Sequence, residues 1–197
     1  MPSPRLVTPP HPAVIAPEVL RKQCTATHTR GSGPGGQHRN KVSTAVVLKH
    51  DPTSVTASAS ETRSQARNGE VALFRLRMRL ALELRAEPAA DAPSARWLAR
   101  RKNAKLAVNT KHADVSAQPT SIVAHRLTRP RATQFPALIS EALDAVWSMG
   151  SVREAATMFG VSSSQLVRLL AQEPAALKFA NELRAAQGLQ PLKSPFR

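Results

Sequence analysis

The chain has 197 residues, enough for one or two domains, and carries 28 Lys and Arg against 13 Asp and Glu, a formal net charge of +15. With 42% apolar residues it has material for a core, and its single cysteine, Cys24, excludes an intrachain disulfide framework and a four-cysteine metal site. No apolar run approaches the roughly 18 residues of a membrane helix, and the first 20 residues, with six prolines, do not read as a secretory leader, so a soluble cytoplasmic protein without a membrane partner is expected.

In chain order, residues 1–17 read as a disordered or extended proline-rich tail. Residues 18–87 read as a small α+β domain, an antiparallel sheet packed by a long helix. Strands are predicted at Cys24 to Thr29, Thr44 to His50 and Val55 to Ser60, each β-branched or alternating, with Asp51, Pro52 and Thr53 turning between the last two. A helix capped by Ser64 runs to about Arg85. Leu73, Leu76, Leu80 and Leu84 would cover the sheet, while Arg75, Arg79 and Glu83 meet water or RNA. Residues 88–135 form a basic linker with Arg96, Arg100, Arg101, Lys102, Lys105 and Lys111, helical in part near Arg96 to Val108. Residues 136–197 form a small helical bundle. Leu138, Ile139, Ala142, Leu143, Val146 and Trp147 make its stripe, Ser151–Glu154 and Ser162–Gln165 its capping boxes, and Pro174 to Gln187 its last helix. Of the net charge, +14 lies between residues 21 and 135, a field that favours a dense line of phosphates through counterion release. The blander reading is a solvated basic face kept for solubility.

Four of the eight glycines fall within six residues, in Arg30-Gly-Ser-Gly-Pro-Gly-Gly-Gln37-His-Arg-Asn-Lys41. Paired glycines open backbone angles closed to other residues and let the main chain approach a partner with no Cβ in the way. A mobile loop is the plain reading. A phosphate-cradling loop fails on spacing, since no G-x-x-x-x-G-K-[ST] occurs.

Across Gly33-Pro34-Gly35-Gly36-Gln37-His38, Asn40-Lys41-Val42-Ser43-Thr44-Ala45 and Arg63-Ser64-Gln65, the chain resembles the catalytic domain of class I peptide chain release factors and their codon-independent rescue relatives. The resemblance runs from about Cys24 to Arg85. Arg39 departs from it, standing where the family commonly has a small apolar residue. The resemblance implies ribosome-dependent hydrolysis of the ester joining a nascent peptide to tRNA. Gly35, Gly36 and Gln37 would be the catalytic residues, and Gln37 would be a possible site of N-methylation. Glutamine takes no proton near neutral pH, so it would orient water rather than act as a base. Arg30, His38, Arg39, Asn40, Lys41, Arg63 and Gln65 would support the loop or contact rRNA. His38 and His28 are weaker candidates as bases, and Cys24 reads as an ordinary strand residue. No metal spacing is found and no cofactor is expected.

The implied partners are the ribosome, through large-subunit rRNA and the mRNA channel, and peptidyl-tRNA, met by a monomer. The chain has no room for a codon-recognition domain, and Ser194-Pro195-Phe196, which matches a stop-codon-reading tripeptide, is taken as chance. Rescue of stalled ribosomes is therefore expected, with Arg96 to Lys111 sensing an empty channel or simply lying on rRNA. Two alternatives remain: a non-hydrolytic ribosome- or RNA-binding protein, and a DNA-binding regulator led by the helix-turn-helix pattern at Ala155, Ala156, Gly160 and Val161. Arg168 is the only charge on the second helix of that pattern, which favours packing or ribosome docking over DNA reading.

Overall fold

The computed structural model describes residues 4–29, 44–88, 93–102, 105–106 and 134–196, with backbone alone at 100–102 and 105–106. It is a mixed α/β fold with a small antiparallel sheet. The chain opens with β1 (Arg5–Leu6), a 3-10 turn (Pro12–Val14) and α1 (Pro17–Lys22), then enters the sheet at β2 (Cys24–Thr29). β3 (Ala45–His50) and β4 (Thr56–Ala59) follow, and the three strands pair antiparallel in the order β2-β3-β4. Alternation decides which face is buried: Val46, Leu48 and His50 of β3 and Ala57 and Ala59 of β4 turn inward. The 51–53 turn carries the chain through Ser54, a left-handed residue at φ 59°, and His50 N–H donates to the Val55 carbonyl at 2.8 Å.

Ser64 caps α2 (Gln65–Glu83), its hydroxyl accepting from Arg67 N–H at 3.3 Å. α2 lies on β3 and β4, Val71, Leu73, Phe74, Leu76 and Leu80 are buried along it, and its last residues lead into β5 (Leu84–Arg85). β2 lies beyond this cover, and Thr25 to Thr29 are exposed.

Residues 4–17 correct the expectation of a disordered tail. β1 pairs in parallel with β5, Arg5 donates to the Thr53 carbonyl at 2.7 Å, and buried Arg77 of α2 donates to the Ala13 carbonyl at 2.9 Å. Prolines fix the path of such a segment, and tertiary acceptors hold it.

The basic stretch is also tied down where it begins. Its helix, α3 (Ala95–Arg100), is shorter than expected and leads into a small antiparallel pair, β6 (Arg101–Lys102) with β7 (Lys105–Leu106). Trp97 is fully buried, edge-on to Phe159 with ring centroids 4.1 Å apart.

Among the described residues four helices follow: α4 (Phe135–Met149), α5 (Val152–Met158), α6 (Ser163–Leu170) and α7 (Pro174–Ala186). Gly150 and Gly160 end α4 and α5 in left-handed conformation, the role glycine fills at such ends. Ser162 and Gln165 form a reciprocal capping box, while Ser151 accepts from Glu154 N–H at 3.4 Å. α4 packs on α2 and the 3-10 turn, so the helices share one core with the sheet. Arg85 joins them. Its guanidinium donates to the Ala81, Leu82 and Leu84 carbonyls at the end of α2, lies 3.8 Å from Asp144 of α4, and sits 4.3 Å over the Phe179 ring of α7.

Candidate active site

The glycine loop leaves β2 after Thr29 and returns to β3, and Thr29 and Ala45 are register partners. Both ends of the loop therefore meet at one end of the sheet. The N-terminus of α2 comes to the same end, because Asn68 there donates from Nδ2 to the Thr44 carbonyl at 2.7 Å. Arg63, Gln65 and Arg67 are exposed around this terminus. No acidic residue lies in the first turn of α2, so the partial positive charge of the helix end adds to that of the arginines. The loop is rooted in an electropositive corner.

Gly35, Gly36, Gln37, Arg30, His38, Arg39, Asn40, Lys41 and Lys111 lie outside the described residues. Of the other expected site residues, Arg63 and Gln65 come together at the loop root. Arg96 does not: it donates to the Val14 carbonyl at 2.8 Å and lies 3.9 Å from Glu141, so its charge is used within the fold. Arg100, Arg101, Lys102 and Lys105 follow Trp97 on α3, β6 and β7.

The remaining candidate nucleophiles and bases sit elsewhere. Cys24 and His50 are register partners at the opposite end of the sheet, five residue steps or about 16 Å from the loop root. Cys24 Sγ donates to the Leu20 carbonyl at 3.1 Å, and burial raises its pKa above the usual thiol value, which makes it a poor nucleophile. His50 is held 2.7 Å from Thr53 Oγ1, and burial lowers its pKa. His28 is exposed on β2, opposite Val46. Among the described residues no three His, Cys, Asp or Glu side chains form a metal-binding group, and no helix is long and apolar enough to cross a membrane.

Sequence reasoning missed Asn68. Its signal was present: position 68 lies on the row of Ala72, Leu76 and Leu80, at spacings of four, all fully buried. A polar residue on an apolar row needs internal partners, and Asn68 has them.

The RF-1 domain family model matches residues 14–126, more than half of the chain. The chain is 34% identical over 98 residues to an uncharacterized mitochondrial peptide chain release factor-like protein of Saccharomyces cerevisiae, covering 49% of this chain and 62% of that one. It is 34% identical over 124 residues to mitochondrial peptide chain release factor 1 of Bos taurus, covering 63% of this chain and 25% of that protein. Over 51 residues it is 51% identical to peptide chain release factor 2 of an Acidovorax species, 26% of this chain and 14% of that one. The chain thus spans about three fifths of the first of these relatives and a quarter or less of the others.

Proposed function

This chain belongs to the RF-1 domain family, and from that premise we propose that it acts in translation, hydrolysing the ester of peptidyl-tRNA on stalled ribosomes. The observation that carries the reading is Gly35-Gly36-Gln37, lying inside the matched residues on a loop rooted at the electropositive corner. The paired glycines admit the loop to a narrow RNA pocket. The Gln37 backbone N–H donates to the oxyanion that develops on the ester carbonyl, a contribution of about 10² to 10³ in rate. The Gln37 side-chain amide orients water. Water adds to the carbonyl carbon, the bond to the terminal ribose oxygen breaks, and that oxygen takes the proton. Gln37 supplies no base, so the proton travels through RNA hydroxyls, and hydrolysis depends on the ribosome. The cations after Trp97 favour the rescue reading, since they present charge to RNA without reading a codon.

The test is peptide release from purified ribosomes carrying peptidyl-tRNA. One complex has mRNA ending at the P site, and the other has a stop codon in the A site. The expected result is fast release on the truncated complex, with Gln37→Ala, which keeps the backbone donor and loses the amide that orients water, lowering the rate about 10²-fold while ribosome binding persists. Release confined to the stop-codon complex would overturn the rescue reading. Binding without release on either complex would overturn hydrolysis.

A further inference from the structure

Asn68 is fully buried in the second turn of α2 and uses the whole capacity of its amide. Oδ1 accepts from Thr62 N–H at 3.0 Å and Thr62 Oγ1 at 2.9 Å. Nδ2 donates to the Thr62 carbonyl at 2.9 Å and the Thr44 carbonyl at 2.7 Å. The orientation is forced, because a backbone N–H only donates and a carbonyl only accepts. Asparagine is a mediocre helix former, so helix propensity does not explain its place here.

The β2–β3 register reaches Thr29 and Ala45, the last pair described before the glycine loop. Thr44 is therefore the step at which the returning chain depends on something other than the β2 ladder, and Asn68 takes its carbonyl. Through Thr62, the same amide fixes the turn that carries Arg63 and leads into Gln65. A single buried side chain thus joins the downstream root of the loop, the turn before α2, and α2 itself. With no water to compete, such bonds hold geometry firmly.

We propose that Asn68 is a positioning residue for the glycine loop: its Nδ2–Thr44 bond sets where Gln37 is presented to the ester. This rests on the hydrolase reading for its effect on rate, but not for its effect on the loop root. Its influence is exerted at the Thr44 carbonyl, where the chain enters β3.

Two variants of the full chain separate this role from a merely structural one. Asn68→Asp keeps the oxygen that accepts from Thr62 and loses both Nδ2 donations, to the Thr44 and Thr62 carbonyls. Thr62→Val removes the three Oγ1 bonds, to Asn68 Oδ1, to the Ser64 carbonyl and from Ser64 N–H, while leaving the Thr44 bond in place. On the truncated-mRNA complex, the expected result for Asn68→Asp is kcat lowered roughly 10- to 100-fold, with the half-saturating concentration nearly unchanged. Thr62→Val is expected to lower the melting temperature comparably and leave kcat nearly unchanged. Amide hydrogen exchange, followed over residues 42–46 without ribosomes, is expected to accelerate about tenfold or more in Asn68→Asp and far less in Thr62→Val. Should Asn68→Asp not fold, Asn68→Ser takes its place with the same expectations.

Equal losses of kcat in the two variants would overturn the proposal, as would exchange at the loop root that Asn68→Asp leaves unchanged. If no form of the protein releases peptide while exchange responds as expected, the hydrolase reading fails and the tether stands.

Discussion

At the scale of single residues, His11 is held neutral by its burial. Ala13 N–H donates to its Nδ1 at 3.0 Å, so the ring proton sits on Nε2, 3.3 Å from the Leu84 carbonyl. Burial lowers its pKa to about 4, the Leu84 carbonyl raises it in part, and Arg85 lowers it further. The stability this contributes is complete above pH 6.5 and is lost as pH falls toward 4. Asp144 works in the opposite sense. Burial pushes its carboxyl up to about 7, against the pull of Arg85 and of the Ala86 N–H that donates to it at 3.2 Å. Its contribution is complete below the ordinary carboxylate pKa and is lost as pH rises toward 7. The two slopes offset each other between pH 4 and 6.5. Urea denaturation across this range is expected to show a shallow profile for the native chain, stability falling somewhat toward pH 4 because burial lowers the pKa of His50 as well. Asp144→Asn should expose the His11 slope, a loss of up to roughly 3 kcal/mol on going from pH 6.5 to 4. His11→Asn should expose the reverse slope, stability falling as pH rises. Parallel profiles in the two variants would contradict this assignment.

At the scale of elements, β2, β3, β4 and α2 were readable because each carries a local signature: alternation, a Pro-containing turn, a serine cap and leucines three and four apart. The N-terminal segment carries none. Its order comes from acceptors distant in sequence, as in Arg77 to Ala13 and Arg5 to Thr53. α3 misled for a similar reason. Arg96 and Arg100 suggest a solvated basic helix, but Trp97 between them decides which face turns inward, and Arg96 follows it to Val14 and Glu141. At the candidate site, the Gly35-Gly36-Gln37 tripeptide stood out in the sequence through its glycines and its neighbours. Asn68 was not sought, since helix interiors are read for apolar spacing. Trp97→Ala is expected to cost about 3 to 5 kcal/mol, the usual loss for a large aromatic removed from a packed core, measured by urea denaturation. Trp97→Phe should recover most of it, because the indole N–H has no hydrogen-bond partner among the described residues.

At the scale of the whole molecule, the sheet, α2 and the C-terminal helices share one core, and the boundary expected near residue 136 falls across packed surface. Leu138, Ile139, Ala142 and Leu143 are fully buried on α4, and Arg85 has its charge partner on α4 and its aromatic partner on α7. A single cooperative transition is expected, with far-UV circular dichroism and tryptophan fluorescence melting together. Two separated transitions would show that the helices fold independently. Among exposed residues of α6 are Ser163, Ser164 and Arg168, so its main investment is inward, through Leu166, Leu169 and Leu170.

The burial of Trp97 also gives the molecule its own optical reporter. An indole shut away from water emits at shorter wavelength than an exposed one, so its emission follows the junction at which the start of the basic stretch meets Phe159 after α5.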